Sequence, residues 1–415
     1  MSSGARIGKS GQPRRLLFLM PFPLRSDADH GGGRVAWSIV SALAQRHQIA
    51  VVCLRPQDAQ PSEAPADSID VHDVPHAISS DSFARLGRLM SLASGTPLWA
   101  SYTWSLPFAT RARQVASTWK PDIIHFEYHV MGQYASAVDA VPAARVLTEY
   151  EPGVLAAREH MAPGSGRLDI RAWLERRAWH RFEARVIGEM SAVIVFTELD
   201  RHVIAGFGQS APVVCIPFRL QGRAKPPLTP SADQARLLFV GNFIHPPNVD
   251  AAIRLAFEIF PIIRAVRPDA RLDLVGAHPP AAVKRAEGTG VRVWGRVPDV
   301  GEHLKRATVV VVPIRQGGGM RVKMIEALAA GKPVIASRLA AEGLSLRDGV
   351  NVVLAETNEA FAQAVVNLLG DQQRRQGIAR AAYEWARAGE NAPDWIDQYD
   401  ALYNGLSSHI STGAV

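Results

Sequence analysis

The sequence predicts an α/β protein made of two doubly wound domains. Apolar runs typical of buried strands alternate with segments whose apolar residues recur at helical spacing. This alternation occurs twice, before and after a polar, proline-rich stretch without periodicity. At 415 residues the chain also exceeds one ordinary core, so two domains of about 200 residues each are expected. Alternating strands and helices predict parallel sheets that bind ligands at the carboxyl ends of their strands.

The first domain is placed at 14–218, after a disordered leader at 1–13. RLLFLMPF is a buried strand, DADHGGG a glycine loop and RVAWSIVSALAQR a helix. QIAVVCL returns as a second strand, which completes a βαβ unit. Four further strands are predicted at 122–128, 143–149, 192–197 and 212–217.

The second domain is placed at 235–385, after the linker RLQGRAKPPLTPSADQ at 219–234. Its predicted strands are ARLLFVGNF, ARLDLVGA, VRVWGRV and TVVVVPI, with NVDAAIRLAFEIFPIIRAV and GEHLKRA as helices. The remaining segment, 386–415, is predicted to be a helix that crosses back to the N-terminal domain, followed by a tail.

Charge and composition exclude some partners. Hydrophobic residues make up 47% and charged residues 20%, which predicts a soluble, folded protein. The net charge of +7 is shared evenly by the two halves, so the basic stripe of a duplex-binding protein is not evident and nucleic acid is not expected as a partner. A mild positive field leaves anionic ligands and a membrane surface open.

Cysteine usage and the N-terminus predict a cytoplasmic location. Cys53 and Cys215 lie in apolar strand-like runs without metal-ligand spacing, which predicts buried free thiols in a reducing compartment. The apolar run near the N-terminus has only about seven residues, too few for a signal peptide or a membrane span.

The stretch RQGGGMRVKMIEALAAGKPVIAS, at 315–337, has the composition of a phosphate site. Glycines between a strand and a helix let backbone N–H groups approach a ligand, and the helix N-terminus attracts anions. Arg321 and Lys323 lie in the first turn, where the helix dipole disfavours cations, and an anionic diphosphate explains them. Glu326, one turn later, can accept hydrogen bonds from ribose hydroxyls. The alternative is a plain glycine turn with solvated charges, and neither a P-loop nor GxGxxG is present.

Together with LLFVGNFIHPPNVDAA and VWGRVPDV, this stretch resembles the nucleotide-sugar half of group 1, family 4 type, retaining glycosyltransferases. The resemblance is to a branch that makes polysaccharides and other glycans, runs from about residue 15 to 405, and is strongest at 236–345. It implies the GT-B fold, in which two Rossmann-like domains face each other across a cleft. The C-terminal domain then binds a nucleotide-diphosphate sugar as co-substrate, and the N-terminal domain binds the acceptor.

The resemblance also implies roles for individual residues of the donor side. The family has two glutamates eight positions apart, and Glu326 matches the second, which holds the donor ribose. Gly318 stands where the first is expected, so that carboxylate is absent. The basic pair that many relatives carry after the first C-terminal strand is absent from GNFIHPPNVDAA, which leaves Arg321 and Lys323 as substitutes. The implied donor-binding positions are Gly241, Asn248, Gly295, Val297, Gly317, Gly318, Gly319, Met320 and Glu326.

On the acceptor side, Gly31, Gly32 and Gly33 match the glycine loop that lets the acceptor approach. Glu127 falls where many relatives have a histidine that touches the transferred sugar, and a carboxylate there can bind a sugar hydroxyl or stabilise anomeric charge. His125 is expected on the opposite face, as a core histidine, and His129 is left open. For Trp294 and Arg296, base stacking and strand-edge packing are both open.

The mechanism that the resemblance implies uses no protein nucleophile. The acceptor attacks the face from which the nucleotide diphosphate leaves, so stabilisation of the leaving group by Arg321, Lys323 and the helix N-terminus carries the catalysis. No metal and no further cofactor are expected. The expected activity is hexosyl transfer to a glycan or lipid-linked acceptor, and a nucleotide-sugar epimerase and a non-catalytic binding protein of this fold are the alternatives.

Membrane contact is a further open question. The predicted helix at 167–190 is basic and aromatic, and it either meets anionic lipid headgroups or packs by its tryptophans with the arginines in solvent. Peripheral contact with the inner face of the plasma membrane therefore stays open, with 85–99 as a second candidate surface. The residues concerned are Arg171, Trp173, Arg176, Arg177, Trp179, Arg181 and Arg185.

Overall fold

A computed structural model describes residues 13–28, 30–76, 95–155, 170–218, 235–317, 322–390 and 395–412. These residues form two compact units. The N-terminal unit contains the described residues of 13–26, 32–217 and 395–412, and the C-terminal unit contains those of 27–31 and 218–390. Each unit is a parallel sheet with helices between its strands, so the predicted doubly wound α/β class is confirmed.

The N-terminal unit has a seven-stranded parallel sheet in the order β3-β2-β1-β4-β5-β6-β7. Its strands are β1 (Arg15–Met20), β2 (Gln48–Pro56), β3 (Ile69–His76), β4 (Ile123–Glu127), β5 (Ala144–Glu149), β6 (Ala192–Val195) and β7 (Val213–Cys215). Its helices are α1 (Gly31–Leu43), α2 (Leu98–Thr103), α3 (Leu106–Trp119), a 3₁₀ helix (His129–Val138), α4 (Ile170–Gly188) and α5 (Glu198–Ala205).

The central strands of this sheet are the apolar runs of the sequence. β1 pairs with β2 on one side and β4 on the other, with Leu16 opposite both Ile49 and Ile123. Helices cover both faces, so these strands bury nearly all their side chains, as is usual in parallel sheets. β3 is not predicted from the sequence because IDVHDVPH is an edge strand with a polar, partly exposed face.

The predicted glycine loop before α1 differs in the structure. Gly31, Gly32 and Gly33 are the first turn of α1 itself. Glycine is a poor helix former, so composition alone favoured a loop. The helix nevertheless starts there, because its apolar face continues through Val35, Ile39 and Val40 into the core.

The C-terminal unit has a six-stranded parallel sheet in the order β10-β9-β8-β11-β12-β13. Its strands are β8 (Arg236–Val240), β9 (Arg271–Val275), β10 (Val291–Gly295), β11 (Val309–Val312), β12 (Val334–Ala336) and β13 (Val353–Leu354). Its helices are α6 (Pro246–Ile253), α7 (Phe260–Val266), α8 (Ala281–Lys284), α9 (Val300–Arg306), α10 (Val322–Ala329), α11 (Arg338–Ala341), α12 (Asn358–Gly370) and α13 (Gln372–Glu390).

The single helix predicted at 248–266 is interrupted in the structure. A π-helical segment, Arg254–Ile259, separates α6 from α7. Pro261 follows it at the start of α7. Proline cannot donate the backbone hydrogen bond of a continuous α-helix, and the wider turn before it accommodates that loss.

The last helix, α14 (Trp395–Thr412), belongs to the N-terminal unit, whereas α13 belongs to the C-terminal one. Tyr403 lies with its Oη 2.8 Å from His125 Nε2 on β4. Asp400 Oδ1 lies 2.7 Å from His47 Nε2. The chain therefore changes unit at about residue 394.

Candidate functional site

The C-terminal sheet has the strand order that creates a ligand crevice. β8 lies between β9 and β11, and the chain leaves β8 towards β9 on one side but reaches β11 on the other only later. At such a switch point the two loops that follow the neighbouring strands separate at their carboxyl ends. The loops after β8 and β11 contain most of the predicted donor residues.

The loop after β8 contains two glycine contacts that are too close for a side chain. A Cβ on Gly241 would lie 2.8 Å from Asn248 Cγ, and a Cβ on Gly276 would lie 1.9 Å from the Gly241 carbonyl oxygen. Neither position therefore tolerates a side chain. Asn248, which is buried in the first turn of α6, donates from Nδ2 to the Asn242 carbonyl at 2.7 Å.

Lys323, in the first turn of α10, joins this loop to the glycine stretch. Its Nζ donates to Asn248 Oδ1. It also lies 5.4 Å from the centroid of the Phe239 ring, on β8. One cluster therefore forms at the carboxyl end of β8 from Gly241, Asn248 and Lys323. Gly241 and Lys323 are about 80 residues apart in the sequence.

The rest of the glycine stretch is only partly described. Gly317 has a φ of 110°, a left-handed conformation that glycine adopts readily. Glu326 is half-buried on α10, three residues after Lys323 and therefore on the same side of the helix. Gly318, Gly319, Met320 and Arg321 lie outside the described residues.

Gly295 and Val297 lie at the end of β10. Gly295 has a φ of 66° and accepts a hydrogen bond from Gly276 N at 2.9 Å, so it borders the loop after β9. Val297 is half-buried against the core of the unit. Trp294 donates from Nε1 to Asp273 at 2.9 Å, and Arg292 lies 3.7 Å above its ring, so strand-edge packing describes this tryptophan.

In the N-terminal unit, Gly32 and Glu127 meet a cluster of tyrosines. A Cβ on Gly32 would lie 1.6 Å from Tyr128 Oη, so only glycine fits under that hydroxyl. Tyr128 stacks on Tyr150 with ring centroids 4.0 Å apart. Glu127 is 1% exposed and accepts hydrogen bonds from Thr148 Oγ1 at 2.9 Å and Tyr150 Oη at 2.7 Å. Its carboxylate is a buried acceptor in this conformation, and its predicted contact with a sugar stays a prediction.

His125 shares a face of β4 with Glu127, so the expected opposite orientation is wrong. Its Nδ1 lies 3.7 Å from Glu127 Oε1. Residues two apart on a strand point to the same side, which decides the matter. The prediction of a core histidine is confirmed, since His125 is fully buried, stacks on Phe18 and contacts Tyr403.

Three titratable residues of the N-terminal unit come together that the sequence did not associate. His129 Nδ1 lies 2.7 Å from Glu149 Oε1, and one ligand atom from each of His129, Glu149 and Glu183 lies within 4.8 Å of the others. Burial raises the pKa of Glu149 well above its usual value and that of Glu183 to about 7, and lowers that of His129. The carboxyl-terminal position of Glu149 on a strand was the signal available in the sequence.

The cysteines are free thiols, as predicted. Cys53 is fully buried, and this burial raises the pKa of its thiol to about 12. Cys215 is half-buried, and burial together with Glu198 raises its pKa to about 11. Thiols held this far from ionisation are poor nucleophiles at neutral pH.

The basic helix α4 uses its two tryptophans differently. Trp179 is buried and lies perpendicular to the His129 ring at a centroid distance of 4.6 Å. Trp173 is 43% exposed, with Arg177 5.5 Å from its ring centroid. One tryptophan thus packs and the other stays at the surface. No helix in the described part of the chain is both long and apolar enough to cross a lipid bilayer.

Comparison with known proteins assigns both units to one family. The family model described as glycosyl transferases group 1 matches residues 234–371, and glycosyltransferase family 4 matches residues 30–217. The chain therefore belongs to the group 1, family 4 type glycosyltransferases.

Curated relatives match part of the sequence. A phosphatidyl-myo-inositol mannosyltransferase of Mycobacterium leprae is 29% identical over 163 residues, which cover 36% of this chain and 43% of that protein. An uncharacterised 44.6 kDa protein from the cps region of Klebsiella pneumoniae is 22% identical and covers 36% of this chain and 41% of its own. The matched region thus spans less than half of either relative.

Solved structures support the fold over nearly the whole chain. Sucrose-phosphate synthase from Thermosynechococcus elongatus has a TM-score of 0.69 at 17% identity and covers 97% of this chain and 100% of its own. Anabaena HepE, solved with UDP and glucose, has a TM-score of 0.66 at 15% identity and covers 95% and 100%. The GT-B fold implied by the resemblance is confirmed.

Proposed function

We propose that this protein transfers a hexosyl group from a nucleotide-diphosphate donor to a glycan or lipid-linked acceptor, with retention of anomeric configuration. The observation that carries the proposal is the cluster of Gly241, Asn248 and Lys323 at the carboxyl end of β8. It places a cation at the point where a doubly wound sheet binds nucleotides. Family membership supports the same reading.

Catalysis then rests on stabilisation of the leaving group. The ammonium of Lys323 and the N-terminal end of α10 act on the diphosphate, with Arg321 as the second cation. Asn248 holds Lys323 by its side-chain carbonyl and is a positioning residue. Glu326 binds the donor ribose. The acceptor binds beside the first turn of α1, formed by Gly31, Gly32 and Gly33, where the Tyr128 hydroxyl packs over Gly32. These cations supply the charge that a divalent metal supplies in other transferases, so we expect donor turnover in the presence of a chelator.

A panel of nucleotide sugars tests the proposal. Thermal stabilisation identifies the donor, and nucleotide release is then measured with and without acceptor extracts from glycan-producing cells. Release that depends on acceptor supports transfer, and the anomeric signal of the product by NMR reports retention or inversion. Isomerised donor without acceptor identifies an epimerase, and binding without any turnover identifies a non-catalytic protein.

Peripheral membrane contact is the finer part of the proposal. Trp173 at the surface of α4 with Arg177 over its ring supports it, because interfacial tryptophan and arginine suit anionic headgroups. We expect the protein to sediment with vesicles containing anionic lipid at low salt. Trp173→Ala should release it, whereas Trp294→Ala, which alters a tryptophan of the other unit, should not. Sedimentation that is equal for neutral vesicles and for both variants contradicts the contact.

A further inference from the structure

The cluster of His129, Glu149 and Glu183 lies in the N-terminal unit, outside the donor site. His129 starts the 3₁₀ helix after β4, Glu149 is the last residue of β5, and Glu183 lies on α4. Each of the three is at most 2% exposed. Three separate elements therefore bring an imidazole and two carboxylates into the interior within 4.8 Å of one another.

The basic side chains around this cluster cannot neutralise both of its carboxylates. No lysine or arginine of the described chain forms an ion pair with either carboxylate, and His129 is the one basic side chain in contact with Glu149. A buried carboxylate is costly unless it is paired with a positive group. One imidazolium can balance at most one of the two carboxylates, so a second positive charge is required if both are ionised.

The cluster also holds free coordination capacity. Within the described residues, Glu149 Oε2 is buried and has no hydrogen-bond partner. Glu183 is held by the backbone, since its Oε1 and Oε2 accept from Gly153 N and from Val154 N, the second at 3.1 Å. A carboxylate oxygen has two lone pairs, so these contacts orient Glu183 and leave each oxygen one further site.

We propose that His129, Glu149 and Glu183 bind one divalent transition-metal ion, zinc in the first instance. One imidazole nitrogen and two carboxylate oxygens are a ligand set that suits zinc, which bonds both atom types at about 2.0–2.2 Å. The ion replaces the proton shared by His129 Nδ1 and Glu149 Oε1, whose present 2.7 Å separation must widen by about half an ångström. Its two charges balance the two carboxylates.

The role of this ion is structural. It joins β5, α4 and the 3₁₀ helix, and the rings of Trp99 and Trp179 lie perpendicular to His129 at centroid distances of 5.2 Å and 4.6 Å, which restricts access of solvent. The site is independent of the proposed donor chemistry, because every ligand comes from the N-terminal unit.

The test uses the full chain without a histidine tag. The protein is treated with chelator, equilibrated with zinc chloride, dialysed, and its metal content and thermal unfolding are measured. We expect one zinc per chain and a higher unfolding temperature. Glu149→Gln, which keeps the shape and removes the charge, should lose the zinc. His47→Gln should keep it, because His47 is a buried histidine paired with one carboxylate, Asp400, outside this cluster.

Zinc retention by the wild-type and Glu149→Gln proteins decides whether the site binds a metal ion. Wild-type protein that retains no zinc overturns it, and so does Glu149→Gln protein that binds zinc like wild type. Should the Glu149→Gln chain fail to fold, cobalt in wild-type protein decides instead. One bound cobalt with visible bands that zinc abolishes supports the site, and the lack of such bands overturns it.

Discussion

Lys323 occupies a position that helix electrostatics alone disfavours. A cation in the first turn costs a few tenths of a kcal/mol against the helix dipole. The Asn248 side-chain oxygen and the face of the Phe239 ring help to hold it there. A cation that is positioned in this way before any ligand binds needs little rearrangement to meet a diphosphate, which is the arrangement that electrostatic catalysis requires.

Removing this charge should slow turnover sharply. We expect Lys323→Ala to lower kcat/KM for the donor about a hundredfold, on the order of 3 kcal/mol, because the leaving diphosphate loses a stabilising cation. The same is expected of Arg321→Ala. Nucleotide release measures the effect, and Lys305→Ala, which alters an exposed lysine paired with Glu302, is the control. Near-normal rates in both site variants would contradict the diphosphate role.

Gly241 should be as sensitive as the charged residues. A methyl group there meets Asn248 at 2.8 Å, so Gly241→Ala should displace the side chain that holds Lys323. We expect a loss of about 1–3 kcal/mol in stability of the C-terminal unit and a weaker thermal shift with donor. Gly377→Ala is the matched control, because its Cβ has nothing within 4 Å in α13, and it should be neutral or stabilising. Equal behaviour of the two variants would refute the steric argument.

Among the elements, α14 connects the end of the chain to the N-terminal sheet. Its buried face contains Tyr399 and Tyr403, and its polar edge pairs Asp400 with His47 and Arg46. The helix is therefore part of the N-terminal core, although it follows the C-terminal unit in sequence.

Truncating this face should destabilise the N-terminal unit. We expect Tyr403→Ala to cost about 3–5 kcal/mol through the cavity it leaves, and Tyr403→Phe about 1 kcal/mol through loss of the hydrogen bond to His125. Asn404→Ala, one residue on and exposed, should stay within about 0.5 kcal/mol of wild type. Urea unfolding measures all three, and a Tyr403→Ala cost below that of Tyr403→Phe would contradict the packing.

The buried ammonium of Lys332 donates hydrogen bonds to carbonyl groups at the C-terminal end of α9. Its Nζ donates to the Lys305 and Ala307 carbonyls at 3.1 Å and 3.0 Å, and burial lowers its pKa to about 8. The folded amine is therefore mostly deprotonated between pH 8 and 10.5, whereas the unfolded amine is still mostly protonated in that range.

Stability should therefore rise with pH across that window. Because the unfolded state binds more protons there, deprotonation favours folding, by about 2 kcal/mol at pH 9.5. Lys332→Met removes the titrating group. The difference in unfolding free energy between wild type and Lys332→Met should shift in favour of wild type from pH 7.5 to 9.5. A constant difference would show that the folded lysine titrates normally.

At the scale of the whole molecule, each unit has its own sheet and its own core. We therefore expect two unfolding transitions, assigned by variants, with Tyr403→Ala lowering one and Lys332→Met altering the other. A nucleotide sugar at a hundred times its Kd should raise the unfolding free energy of the C-terminal unit by about 2.7 kcal/mol. The temperature of only the C-terminal transition should therefore increase. Calorimetry measures both transitions. If the ligand raised the temperature of the N-terminal transition alone, the donor site would lie in the N-terminal unit and the proposed location would be wrong.

Local sequence patterns predicted most of the fold. Uninterrupted apolar runs such as LLFLM and VVVV identify buried parallel strands, because a sheet covered on both faces has no polar side. Strand β3 and the π-helical interruption were not predicted. An edge strand and a widened helical turn depend on tertiary neighbours, which the local sequence does not show. The orientation of His125 was mispredicted although strand alternation was sufficient to decide it.

The sequence by itself determined the α/β class, the division into two domains and the glycine, lysine and glutamate motif at 315–337, because periodicity and turn chemistry are local. The tertiary structure alone decided which distant residues meet. Asn248 holds Lys323 across 75 positions, and His129, Glu149 and Glu183 converge from three elements. Such contacts follow from strand order and helix packing, which no local pattern encodes.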